Sequence, residues 1–75
     1  MHSKTRAASA GRALRLTTRQ IAVLRLLAEG KSNEEIGRAL GVAANTIKFH
    51  IASLMQKFDA DNRVRLAVVA SRLLA

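Results

Sequence analysis

The chain has no cysteine, no proline, no tryptophan and no tyrosine, and among its 75 residues only two are phenylalanine and five are acidic. Without cysteine, neither a disulfide nor a thiolate metal site can hold the fold together. The two histidines, His2 and His50, are too few and too far apart for a zinc site. No metal or cofactor is therefore expected, and the apolar core has to carry stability alone. No apolar run approaches the roughly 18 residues of a membrane-spanning helix, and the N-terminus lacks the apolar stretch of a secretory signal. The expected location is the cytoplasm, with no membrane partner. The five acids, Glu29, Glu34, Glu35, Asp59 and Asp61, belong to no nucleophile-and-base arrangement, and no glycine-rich loop is present to cradle a phosphate. Catalysis is not expected.

What the chain does have is positive charge: 13 lysines and arginines against those five acids, a formal +8. Such an excess favours a polyanionic partner, although charge by itself does not choose between DNA, RNA and an acidic membrane. A chain of this length makes one domain and buries only about 60% of the surface that its unfolded form exposes. Residues 1 to 15 hold Lys4, Arg6, Arg12 and Arg15 with no acid, and the small residues from Ala7 to Gly11 show no apolar stripe. They read as a flexible basic tail or a severed linker that carries half of the net charge. Residues 16 to 75 read as the folded part.

From Thr17 onward the pattern predicts helices, punctuated by glycines and capping residues. The first starts where T-T-R-Q sets the Thr17 cap three residues ahead of Gln20, and it ends before Gly30, which suits the left-handed position after a helix. Val23, Leu24, Leu27 and Ala28 share its inner face. The second starts at Ser32, whose S-N-E-E forms a capping box with Glu35 and places two acids at the positive end of the helix dipole. It stops at Gly41, with Ile36 and Leu40 turned to the core. Gly37 lowers its helix propensity by about 1 kcal/mol relative to alanine, which suggests that a close helix crossing needs the space.

The third helix, from about Ala44 to Phe58, carries the most information. At about 100° per residue, Ile47, Ile51, Leu54 and Phe58 fall within about 60° of one another and form a buried stripe. Lys48, Phe49, Ala52, Ser53 and Gln56 fall on the far side, and His50 lies at the border. A phenylalanine is thus expected to stand in water beside a lysine. The fourth helix, from about Asn62 to Leu73 and capped by Asp61 or Asn62, is apolar on several sides. One stripe serves the core, and the surplus suggests a second buried surface, most simply against its own copy.

A short helix, a turn and a longer helix with one wet face is the plan of a helix-turn-helix DNA reader. Leu16 to Gln20 (LTTRQ), Val23 to Gly30 (VLRLLAEG), Ser32 to Gly37 (SNEEIG), Leu40 to Val42 (LGV), Thr46 to His50 (TIKFH) and Lys57 to Arg63 (KFDADNR) follow in order with family spacing. Residues 16 to 74 closely resemble the LuxR-type (GerE-like) domain of bacterial transcription regulators. The resemblance implies an all-α, four-helix helix-turn-helix domain that binds double-stranded DNA through the third helix in the major groove and forms a homodimer through the fourth. By position, Lys48, Phe49 and Ala52 match places that reach base edges. Thr46, His50 and Lys57 match phosphate-binding or groove-lining places, and Asn45, Ser53, Gln56 and Arg63 are expected to line the groove with them. Lys31, Ser32 and Asn33 stand at a helix N-terminus suited to a phosphate, although capping alone also accounts for Ser32. Val64, Val68, Val69 and Arg72 are the expected dimer contacts.

Within that reading Phe49 has a use: the thymine methyl is the apolar feature of the major groove, and Lys48 beside it can donate to guanine O6 and N7. The bland alternative has Phe49 packing on the rim of the second helix. Departures from the family pattern are Thr18 in place of a proline, Gln20 in place of a glutamate, Ala43 in place of a capping serine, and Ala52 in place of a long polar side chain. The missing cap costs about 0.5 to 2 kcal/mol, so the first turn of the third helix is expected to fray until DNA orders it. The rival reading is a protein-interaction module whose fourth helix docks on RNA polymerase or a sensor domain; a sigma-factor-like reader is a third. In the family the reading domain usually follows a receiver or a small-molecule-binding domain, which makes a response-regulator output domain the expected context and a stand-alone regulator the alternative.

Overall fold

The computed structural model describes residues 15–75. Four helices and no strand occur among them: α1 Thr18–Ala28, α2 Asn33–Leu40, α3 Ala44–Lys57 and α4 Arg63–Leu73. The expected tail falls, except for Arg15, outside the described residues.

Three of the four helix starts follow from their capping chemistry. Thr17 Oγ1 accepts from the Gln20 N–H at 3.0 Å, while the Thr17 N–H donates to Gln20 Oε1 at 2.9 Å. The same reciprocal pair at α2 joins Ser32 Oγ to the Glu35 N–H at 3.2 Å and the Ser32 N–H to Glu35 Oε1 at 2.8 Å. Of the two candidates for α4, Asn62 is the cap: its Oδ1 accepts from the Arg65 N–H at 2.8 Å. Ala43 stands in the extended cap geometry at α3 with no side-chain bond to offer, so α3 starts uncapped.

The ends are equally local. After α1, Gly30 takes a φ of +83°, and the Lys31 N–H reaches back to the Leu26 carbonyl at 3.2 Å. This closes the helix with a six-residue loop that satisfies two carbonyls. After α3 the left-handed position is filled by Asp59, at φ 54°, and the Ala60 N–H closes on the Met55 carbonyl at 2.8 Å. That closure has a consequence for the core, because it turns Ala60 inward, to 8% exposure. Phe58, expected on the buried stripe, is the residue after the last turn of α3; it is half-buried and packs against the core cluster. Its N–H still bonds the Leu54 carbonyl at 3.0 Å, which keeps the ring on the core side although the helix ends there.

Ten residues from all four helices and the α3–α4 loop form the core, among them Val23, Leu24, Ile36, Ile47, Leu54 and Leu66, each fully enclosed. Burying each of these side chains contributes roughly 1.5–3 kcal/mol before entropy is charged against it. Ala28 and Leu40, expected on the inner faces, are half-buried and pack against this cluster. α2 packs mainly on α3, and α1 mainly on α4, while α1 also touches α2 and α3. The Arg19 guanidinium donates to the Leu40 carbonyl at 3.0 Å, tying the start of α1 to the end of α2.

Gly37 is buried, and the close approach it permits is to the backbone of the turn after its own helix and of the first residue of α3. A Cβ there would lie 2.5 Å from the Val42 carbonyl oxygen and 3.3 Å from the Ala44 nitrogen. With Gly41 left-handed at φ +73° and the Val42 N–H bonded to the Gly37 carbonyl at 2.9 Å, the three residues between α2 and α3 fold tightly back onto α2. The turn and Gly37 together set where α3 begins.

Candidate nucleic-acid interface

With Ile47, Ile51 and Leu54 fixed in the core, the helical repeat dictates what α3 presents to water. Asn45, Lys48, Phe49, Ala52 and Gln56 follow the i, i+3, i+4, i+7, i+11 spacing of a single face, and all five are exposed, Phe49 to 65%. Thr46, Ser53 and Lys57 flank this stripe and are exposed as well, while His50 is half-buried on its border. α3 contains no acidic residue. A face with one amine, two amides, a phenyl ring and small side chains offers hydrogen-bond donors, acceptors and apolar surface within a length of about 21 Å, the span of 14 helical residues.

Lys31, Ser32, Asn33, Asn45, Lys48 and Arg63 meet at one open cleft where the starts of α2 and α3 adjoin. In α2 the capping box uses the Ser32 and Glu35 N–H groups. The Asn33 and Glu34 N–H groups, which precede the first turn's bonds, therefore carry the positive end of the dipole into the cleft. Glu34 and Glu35 border the same cleft. The Glu35 carboxyl is held below the ordinary glutamate range, first by the Ser32 backbone N–H, then by the Ser32 hydroxyl, with smaller help from Lys31 and Arg38. The sequence placed these two acids as dipole partners, and Glu35 also in the capping box; their position on the rim further sets negative charge beside the lysines.

Lys57 lies apart from that cleft, about 18 Å along α3 from Asn45 at 1.5 Å per residue. Arg63 does not project freely. It is half-buried, and its guanidinium donates from Nη1 to Asn33 Oδ1 at 2.7 Å and from Nη2 to the Lys31 carbonyl at 2.9 Å. No local pattern points to this engagement, because its partners are 30 and 32 residues away. On α4, Val64, Val68, Val69 and Arg72 line a shallow groove together with Asn62 and Arg65. Val64 is 73% exposed and Val68 42%.

A short helix, a glycine turn and a longer helix whose outer face is polar, cationic and free of acid define a helix-turn-helix DNA-binding domain. Residues 14–70 match the model of the GerE family, described as bacterial regulatory proteins of the luxR family, and the chain belongs to that family. It is 44% identical over 57 residues to the transcriptional regulatory protein LiaR of Bacillus subtilis, covering 76% of this chain and 27% of LiaR. The transcriptional activator protein AnoR of Acinetobacter nosocomialis is 40% identical over 60 residues, which is 80% of this chain and 25% of AnoR. The HTH-type transcriptional regulator MalT of Vibrio campbellii is 48% identical over 59 residues, 79% of this chain and 6% of MalT. The chain thus spans about a quarter or less of the length of these curated relatives. No solved structure matches it. No helix among the described residues is long and apolar enough to cross a membrane.

Proposed function

We propose that the domain binds double-stranded DNA sequence-selectively, with α3 laid in the major groove, as the DNA-reading output end of a cytoplasmic transcription regulator. The observation that carries this reading is the α3 stripe from Asn45 to Gln56, exposed along its length and without an acid. A helix about 10–12 Å across fits a groove about 12 Å wide. Lys48 supplies donors for guanine O6 and N7, and Phe49 with Ala52 supplies apolar surface for the thymine methyl. The α2 cleft, with Lys31, Asn33 and the free N–H groups, suits a backbone phosphate. Thr46, His50, Ser53 and Lys57 line the groove walls, and neutralised phosphates supply most of the affinity.

The exposed Val64 and Val68 on α4, with Val69 and Arg72, support pairing with a second copy, which places two half-sites about one helical turn apart. The same apolar surface favours one rival, docking on RNA polymerase or a sensor domain. Charge-neutral Lys48→Gln separates the two, since protein docking is unaffected by it and sequence-selective duplex binding is weakened. The direct test is a salt titration of fluorescence anisotropy on duplexes selected from a random-sequence pool. At about −0.9 per neutralised phosphate, the expected slope of log K on log salt is steeper than about −2; a shallower slope contradicts the proposal.

A further inference from the structure

Arg63 opens α4, the helix assigned above to dimer contacts, yet both of its guanidinium bonds end on the start of α2. Nη1 reaches Asn33 Oδ1 at 2.7 Å, in a partly buried setting, and Nη2 reaches the Lys31 carbonyl at 2.9 Å. These acceptors flank Ser32, the cap of α2. The rigid fork therefore fixes the backbone before the cap and the side chain after it at the same time, a two-point hold that a single ammonium cannot reproduce. The extensive packing of α2 is against α3, and that of α4 is against α1. The guanidinium thus ties together two helix starts that share little packing of their own.

We propose that Arg63 is a positioning residue for DNA binding: it holds the Lys31–Asn33 segment, and the N–H groups that follow it, at the height and angle that α3 requires on the duplex, and it does so without contacting a phosphate itself. This deepens the DNA-binding reading and rests on it. One N–H of each Nη is engaged, on neutral acceptors within the protein, which holds the plane of the guanidinium against the start of α2. The two engaged donors thus serve the protein, and the role assigned to Arg63 is to place the segment they hold. Arg63 in this way mechanically links α4 to the end of the interface that α3 does not supply.

The test uses the full chain and a duplex selected for wild-type binding, with Arg63→Met and Arg63→Lys compared at a temperature where circular dichroism shows each variant folded. Met keeps the aliphatic stem and removes both bonds. Lys keeps the charge and loses the fork. The expected result is a loss of affinity of about tenfold for Met, the equilibrium worth of one charge-assisted hydrogen bond. Lys is expected to recover little of it, and the slope of log K on log salt is expected to be the same for all three proteins. Amide exchange without DNA is expected to rise at residues 31–35 in both variants and to stay unchanged at the centre of α3. A slope shallower by about 0.9 in Arg63→Met marks a direct phosphate contact and overturns the proposal. So does recovery by lysine, which marks a simple charge effect, or unchanged affinity in both variants. If the wild-type chain itself shows no salt-dependent duplex binding, the DNA-binding reading fails first, whereas any of the other results leaves that reading standing and removes only the role of Arg63.

Discussion

Replacing Gly37 by alanine sets two effects of opposite sign against each other at a single buried position. Propensity alone favours alanine in a helix interior by about 1 kcal/mol. Against it stands the turn: the new Cβ would lie 2.5 Å from the Val42 carbonyl oxygen and 3.3 Å from the Ala44 nitrogen. Carbon and carbonyl oxygen ordinarily come no closer than about 3.3 Å, so the turn has to retreat by roughly 0.8 Å. Both opposing atoms are backbone, and no rotamer change relieves the contact. Overpacking costs about 1–3 kcal/mol, and a backbone contact belongs at the upper end, which leaves a net loss of about 2 kcal/mol after the propensity gain. For a domain of this size, whose whole stability is roughly 3–9 kcal/mol, that is a large fraction, equivalent to a fall in Tm of about 8–16 °C. Urea denaturation followed by circular dichroism is the assay. A lower midpoint at unchanged slope is expected, together with weaker duplex binding, since the same turn sets the start of α3. A midpoint equal to or above wild type would show that propensity wins and that the turn is softer than its geometry implies.

Other perturbations follow from the same structure. Ala43 already has the extended backbone of a cap residue, so Ala43→Ser is expected to raise stability by about 1 kcal/mol, or about 4–8 °C in Tm; an unchanged melting curve removes the missing cap as a cost. The Glu35 carboxyl is held below its ordinary range by the Ser32 N–H and hydroxyl. Its contribution is therefore complete above the ordinary glutamate pKa and is lost as pH falls through the lowered folded value. Glu35→Gln, which keeps an oxygen for the Ser32 N–H, is expected to give a flatter acid limb in a plot of stability against pH, and an identical limb contradicts the assignment. Phe49→Ala is expected to leave the urea midpoint within about 0.5 kcal/mol of wild type while abolishing the preference for thymine over uracil in the selected duplex. If Phe49 packs on α2 instead, stability falls and the preference persists.

The parts of this fold legible in the sequence are those whose cause is local. T-T-R-Q and S-N-E-E specify two helix starts because both bonds of a capping box lie within three residues, and Gly30 and Gly41 mark ends because only glycine takes positive φ without cost. The Ile47, Ile51 and Leu54 stripe fixed the rotation of α3, and with it the exposure of Lys48, Phe49 and Ala52, because a helix has one free angle and three buried residues determine it. Phe58 joins that stripe only in part, half-buried against the core, because it lies just past the last helical turn. Ala60 could not be found by periodicity, since its burial follows from Asp59 taking a left-handed conformation usually left to glycine. The space at Gly37 was legible, and so was α3 as one neighbour, but not the Val42 carbonyl of the turn, which lies closest. The Arg63 fork was illegible: the motif Lys57 to Arg63 singled the residue out as groove-lining, but its bonds join segments 30 residues apart, which no local pattern reaches.

The most direct test of the central claim, that the Asn45–Gln56 face of α3 reads the duplex, is a nuclear magnetic resonance titration of the isotope-labelled chain with a selected duplex, residue by residue. The largest shifts are expected at Lys48, Phe49 and Ala52, with a second group at Lys31 to Glu34 and little change at the centre of α1. Shifts confined to α4, with α3 unmoved at saturating duplex, would contradict the account.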